Sequence, residues 1–293
     1  YLWSKILIMF VLSAIQTLTF VIVGNSILGI KGMYADYWLV LFTTSCFANI
    51  LGLNISSAFN SAVTIYILIP FLIIPQLLLA GVVVKFDKLN PSLAAQGSVP
   101  MAGEVMASRW AFEALAVNQF KENRYEKIFY KEDKRISIAT YKKDFWTQKI
   151  MNKVAKVDNE LKNGKKPEDL KADILFLYNE LKKEEKYSHK KFAALPDVKP
   201  GAYNEATSKA IKEYLGLVIK NYYISVDIAA RRKHNLLTQK LIKELSNDGL
   251  VKLKDNYENE SLSQMVKNAN DISGERSLEK DGRLIQQTDP VFQ

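Results

Sequence analysis

Ser61 to Lys85 reads SAVTIYILIPFLIIPQLLLAGVVVK and carries no charge before Lys85. As a helix, this run of about 24 residues is roughly 36 Å long at about 1.5 Å per residue. That length crosses a hydrocarbon core of about 30 Å with some tilt. Pro70, Pro75 and Gly81 interrupt it. In water two mid-helix prolines are costly, whereas in a membrane bundle neighbouring helices satisfy the carbonyls they free. Gln76 puts an amide at membrane depth, where it should face protein or a water-filled cavity. Two readings stand for the span: a kinked anchor with a satisfied Gln76, or a helix that lines a pathway.

Upstream lie two more apolar stretches. Trp3 to Ile30 holds a single charge, Lys5, near its start; Lys5 can snorkel and Trp3 suits an interface. Gln16 and Asn25 mark faces that meet other helices. Lys31 to Asp36, KGMYAD, is a polar turn, followed by an aromatic cluster of Tyr34, Tyr37 and Trp38 at interface level. Tyr37 to Leu53 is a second span of about 17 residues, and Asn54 to Asn60 reverses the chain without charge. Three transmembrane helices over residues 1–85 are expected. Parity then puts the 31–36 turn and everything after Lys85 on one side. The charge rule for orientation has no vote, because the short loops hold only Lys5 on one side and Lys31 on the other.

Composition agrees with two different materials. Residues 1–85 contain three basic side chains and one acid, while the rest of the chain contains 37 and 30. The first span is too long for a signal peptide and no small-residue cleavage pattern follows it. The chain begins at Tyr1 and ends at Gln293 after a polar tail, so a fragment of a longer protein is expected. The single cysteine, Cys46, excludes a disulfide framework and a thiolate metal site.

Beyond Lys85, residues 86–135 read as a membrane-proximal loop, residues 136–272 as a helical extramembrane domain and residues 273–293 as a polar, poorly ordered tail. Pro91, Gly97 and Pro100 break the first of these, and Met101 to Tyr130 mixes apolar and charged residues in a way that hugs a membrane surface. Trp146, Ile150, Val154, Val157 and Leu161 then form one helical stripe, and Leu170, Ile174, Leu177, Tyr178 and Leu181 form the next. Gly164 and Pro167 separate them, which predicts an antiparallel hairpin. A long helix is expected from about Glu205 to Leu245, with Ile211, Tyr214, Leu215, Val218, Tyr222, Val226 and Ala229 facing its core and Asp248-Gly249 ending it. The fold class is all-α: three transmembrane helices followed by a large helical extramembrane domain.

Little in the chain suggests catalysis. No phosphate-cradling glycine loop is present, and no catalytic set is assigned. His189 and His234 have no companions at ligand spacing, so no metal site is expected. The basic run Arg231-Arg232-Lys233-His234 and the KKEEK of 182–186 read as solvated helix faces, which argues against nucleic acid as a partner. Asn259-Glu260-Ser261 fits a glycosylation acceptor, a short pattern common by chance.

Met106-Ala107-Ser108-Arg109-Trp110-Ala111-Phe112-Glu113-Ala114-Leu115, followed by Asn118-Gln119-Phe120, resembles a segment of G-subfamily (White-type) ABC exporters that follows their fifth transmembrane helix. The Ser61–Lys85 span, with LLLAG at Leu77–Gly81, looks like that fifth helix. Residues 1–125 are similar in hydrophobic pattern to helices three to five and the start of the external loop, and bacterial members with an enlarged loop are the nearest likeness. The helical region from about 136 departs from the short, often cysteine-bearing loop of animal members.

The resemblance implies the permease portion of an ATP-driven exporter that moves an amphipathic or lipid-like substrate outward. It implies a multi-pass protein of the cytoplasmic (inner) membrane with residues 86–293 extracytoplasmic. The expected partners are the lipid bilayer, a second transporter half in a homodimer, and a nucleotide-binding domain outside this fragment that takes ATP and Mg. Pro70, Ile74, Leu77 and Gly81 would line the substrate path, and Val82 and Val83 would form a hydrophobic constriction. Met101–Tyr130 would be the external re-entry segment. In it Arg109 would pair with an acid or cap a helix, while Trp110 and Phe112 would pack at the interface; simple interfacial anchoring accounts for the same three residues. The rival reading is a membrane-anchored structural protein whose helical domain docks a partner.

Overall fold

The computed structural model describes residues 2–81, 99–266, 277–280 and 282–286. Contacts divide the chain into two compact units, Tyr1–Ile128 with Leu245–Ser263, and Phe129–Glu244 with Gln264–Gln293. The described fold is almost wholly helical, as the sequence periodicities require.

In the first unit α1 (Leu2–Leu28) and α2 (Tyr34–Ala58) are long and apolar enough to cross a membrane. They form a hairpin. The turn between them takes left-handed backbone at Gly29 (φ 70°) and Gly32 (φ 80°), conformations that suit glycine. A polar seam fastens the two helices. Ser45 donates its hydroxyl to Ser13 Oγ at 3.0 Å, Asn49 Nδ2 donates to the same oxygen at 2.7 Å, and Trp38 Nε1 donates to the Ala14 carbonyl at 3.1 Å. Where no water competes, such bonds and the small serines that let backbones approach replace the hydrophobic drive.

The third apolar helix, α3 (Ala62–Leu78), is shorter than the span expected from Ser61 to Lys85. Pro70 and Pro75 lie inside it, and the chain turns out of the helix by Gly81, whose φ is 79°. A left-handed residue just past the last turn is a common helix stop. The sequence pattern missed it because the apolar run itself continues to Val84.

A single turn, α4 (Met101–Glu104), leads into α5 (Ala107–Glu122). Asn123 then joins α5 to α6 (Glu126–Thr140). Its Nδ2 donates to the Gln119 carbonyl at 2.8 Å, while its Oδ1 accepts the backbone N–H groups of Tyr125 and Glu126 at 3.0 and 2.8 Å. One side chain thus closes one helix and opens the next.

The core of the second unit lies among α7 (Thr147–Lys162), α8 (Lys171–Ser188) and α9 (Glu205–Glu213) together with the π-helical turns Tyr141–Trp146 and Tyr214–Ile219. Trp146, Ile150, Val154 and Val157 on one side and Ile174, Leu177 and Leu181 on the other are completely or almost completely buried. Gly164 (φ 89°) makes the turn between α7 and α8. Asn204 caps α9 by accepting the Thr207 N–H at 3.0 Å.

The long helix that follows differs in detail from its sequence stripe. The π turn at Tyr214–Ile219 adds a residue to one turn, so the buried face after Leu215 runs through Ile219, Tyr223 and Ala230, whereas Val218 and Ala229 are exposed. Helix α10 (Lys220–Tyr257) breaks at Ser246, two residues before the expected Asp248, in a backbone conformation (φ 66°, ψ 170°) that glycine alone adopts readily. Leu245–Ser263 packs with the first unit. There, Lys31 donates to Asn256 Oδ1 and Arg124 donates to the Tyr257 hydroxyl at 3.0 Å. The α1–α2 turn and these later segments therefore meet at the same end of the apolar helices. A short α11 (Glu260–Val266) follows. Ser277–Lys280 (β1) and Arg283–Gln286 (β2), within the supposed polar tail, form an antiparallel hairpin that places Leu284 in the core.

Ion pairs hold the outer helices of this unit. Asp227 on α10 accepts from Lys143 at 2.6 Å and from Arg231 at 2.7 Å. Burial works to raise its carboxyl pKa, but the two cations outweigh burial and hold it below the usual range. Asp173 and Glu132 are lowered in the same balance, by Lys153 and Lys156 and by Lys233 and Arg135. A depressed carboxylate contributes stability that is present above its unfolded pKa and lost as pH falls through its folded one. Thermal melts followed by circular dichroism should therefore show stability falling as pH drops below about 4. Asp227→Asn should melt lower than the parent at neutral pH and lose less on acidification.

Candidate functional site

The α4–α5 elbow is where the apolar helices meet the polar chain. Helix α3 ends with carbonyls that lack partners within the helix. The Gln76 carbonyl accepts the Ser108 hydroxyl at 2.8 Å, and the Leu79 carbonyl lies against Gly103. A Cβ on Gly103 would stand 3.2 Å from Val99 Cγ1 and 3.5 Å from the Leu79 oxygen, so the approach of α3 to the elbow depends on the bare backbone there.

Arg109 organises this elbow. Its guanidinium is buried, a costly state for a charge unless its donors are used. Nε donates to the Gly103 carbonyl at 3.2 Å, one terminal nitrogen to Glu113 Oε2 at 2.6 Å and the other to Glu104 Oε2 at 2.8 Å. The indole of Trp110 lies 4.0 Å from the guanidinium carbon, and its Nε1 donates to the Glu104 carbonyl at 2.9 Å. The planar fork of arginine matches this arrangement, and lysine could not reproduce it. Trp110 remains half exposed on the outer side of α5, and Phe112 is half-buried. Glu104, Glu113, Gly103 and Ser108 are the members to which sequence reading gave no role of their own. The four-residue spacing of Arg109 and Glu113 was a visible signal for one of them.

Of the residues proposed for a substrate path, Pro70, Ile74 and Leu77 lie on α3 at spacings of four and three, one face of the helix. Ile74 and Leu77 are each more than half exposed. Gly81 lies beyond the helix end, so it does not extend that face. Val82 and Val83 fall outside the described residues. Gln76 uses its backbone, not its amide, to hold α5. The Arg109 cluster and the α3 face thus share one helix end: the cluster ties the elbow together, and the face is an uncharged apolar surface. Among the described residues no group of three or more metal-ligating side chains occurs, and the elbow holds no nucleophile beside a general base.

Residues 1–120 match the family model of the ABC-2 type transporter. No curated protein and no solved structure matches the chain. The family match supports an ABC-2 permease family for this part of the chain, and with the two membrane-length helices it supports a membrane protein. ABC-2 permeases generally work with an ATP-binding component and as dimers. The match ends within α5, so it includes Arg109, Trp110 and the α3 face and excludes the second unit.

Removing the arginine should be felt at the elbow before anywhere else. Arg109→Ala leaves the Gly103 carbonyl and two carboxylates without their donor, a loss of about 1–3 kcal/mol. Detergent-solubilised protein should melt lower, and limited proteolysis should cut between Pro100 and Ala107 sooner than in the parent. Arg109→Lys should recover only part of the loss.

Proposed function

We propose that this chain is the permease portion of an ATP-driven ABC exporter that moves an amphipathic or lipid-like substrate outward. The observation that carries the reading is the ABC-2 type transporter match over residues 1–120, on a stretch containing two membrane-length helices and a third apolar one. The G-subfamily likeness of Met106 to Phe120 supports the finer assignment, and the large helical region after it suits a bacterial member with an enlarged external loop.

In this reading α3 lines the path with Pro70, Ile74 and Leu77. Its face carries no charge, which favours apolar or amphipathic cargo over ions. Val82 and Val83 continue the apolar run as a constriction that closes by expelling water and yields to an apolar substrate. Gly81, at a left-handed turn, marks the end of the lining helix rather than one of its ribs. The Arg109 elbow anchors that helix end, and Trp110 sits at the bilayer interface. ATP and Mg bind a nucleotide-binding domain that these residues do not include, and a second transporter half completes the path as a homodimer. The protein sits in the inner membrane with residues 86–293 extracytoplasmic. The contacts of Lys31 and Gly32 with Arg124, Asn256 and Tyr257 agree with a single side for the turn and the later segments. The rival, an anchor protein that docks a partner, needs no open apolar face on α3.

Leu77→Trp in the full-length transporter separates the two. Blocked export with normal expression and retained ATP hydrolysis is expected. Unchanged export would remove α3 from the path, and the absence of any encoded ATPase partner would remove the exporter reading altogether.

A further inference from the structure

Residues 182–191 read KKEEKYSHKK, five lysines against two glutamates. Folding makes its surface more basic still. Glu184 turns inward and has no exposed surface: Lys142 donates to one carboxylate oxygen at 2.5 Å and the Tyr223 hydroxyl to the other at 2.6 Å. Lys182, Lys183, Lys186, Lys190 and Lys191 all remain exposed, with Glu185 the only acid of the run left near the surface. Lys183 has no ion pair among the described residues. The ridge stands in a basic setting, for residues 129–244 hold 26 basic and 16 acidic side chains.

Beside this ridge opens a cavity of about 260 Å³. Ile138, Trp146, Leu284 and Ile285 give it apolar walls, and Lys183 and Tyr187 stand in its lining from the exposed side of α8. Among the polar groups deeper in, Glu180 and Lys142 are already engaged. Glu180 accepts the Trp146 indole N–H at 2.7 Å and the Leu284 backbone N–H at 3.1 Å, and the Lys142 ammonium lies 4.1 Å from the Trp146 ring centre. What the site offers a ligand is therefore an apolar, aromatic pocket with an uncommitted ammonium at its mouth. Lys186, three residues on, shares the helix face of Lys183 and supplies a second.

We propose that this cavity and the Lys183–Lys186 ridge bind an anionic amphiphile, with its phosphate or carboxylate head on the two ammonium groups and the first part of its apolar chain against Trp146 and Ile138. A free amphiphile and a bilayer phospholipid share this chemistry. Burial of the chain supplies apolar contact, and the lysines select a negative head over a zwitterionic one. The inference does not depend on the exporter reading, since binding is measured without transport.

The test uses the full chain in phosphatidylcholine nanodiscs, with lysine acetylation read by mass spectrometry. Dodecyl phosphate should protect Lys183 and Lys186 and leave the exposed Lys149 on α7 reactive. Protection on replacing part of the phosphatidylcholine by phosphatidylglycerol, with no added amphiphile, would assign the head to the bilayer, and protection by dodecyl phosphate alone would assign it to a free ligand. The double variant Lys183→Glu with Lys186→Glu, both exposed and so expected to fold, should weaken dodecyl phosphate binding by roughly tenfold or more. Equal protection by inorganic phosphate, equal protection by dodecylphosphocholine, binding unchanged in the variant, or no protection at all would each overturn the proposal.

Discussion

A carboxylate cut off from water is tolerable only when donors hold its oxygens. In the second unit two such groups stand one helical turn apart on α8. Glu184 takes Lys142 and Tyr223, and Glu180 takes Trp146 and the backbone of Leu284. Their donors come from the first π turn, from α10 and from the C-terminal hairpin. Each of these must therefore sit where the carboxylates need it. Removing the Lys142 ammonium would leave Glu184 without its cation, at a cost of several kcal/mol. The same inward turn of Glu184 leaves the lysines around it exposed as a ridge.

The two π turns make this convergence possible. Such turns are rare and insert one residue into a helical repeat. At Tyr141–Trp146 the turn lets consecutive lysines reach different helices, Lys142 to α8 and Lys143 to Asp227 on α10. At Tyr214–Ile219 it advances the buried stripe by one position, which brings Tyr223 round to Glu184. Burial pushes the Tyr141 and Tyr214 hydroxyls up to about 12, with the nearby carboxylates adding to it. Both stay protonated, as groups held among buried acids should.

The first unit obeys a different economy. Its apolar helices expose most of their large side chains, as surfaces that face lipid or further helices do. Its polar contacts include the Ser13–Ser45–Asn49 seam inside the hairpin, the Ser108 and Arg109 contacts at the elbow, and the long-range bonds of Tyr37 to Gln119, Lys31 to Asn256 and Arg124 to Tyr257. The elbow is where the helix end, with its unpaired carbonyls, would otherwise be left without donors.

Period and composition were enough to place the apolar helices, the α7–α8 hairpin, the stripe from Trp146 to Val157 and the break near Asp248, because each depends on neighbours three or four residues away. Arg109 stood out through the resemblance of Met106 to Phe120 rather than through period or composition. Period and composition could not show that α3 stops before Gly81, since the signal to stop is a backbone conformation within an unbroken apolar run. The π turns, which slide Val218 out and Ile219 in, leave the composition unchanged and were equally invisible. The inward fate of Glu184, and the core position of Leu284 in a tail that looked merely polar, depend on hydrogen-bond partners 39, 42 and 104 residues away in the chain. Charge is written locally, but whether a charge faces water or protein is settled by whatever the fold brings opposite it.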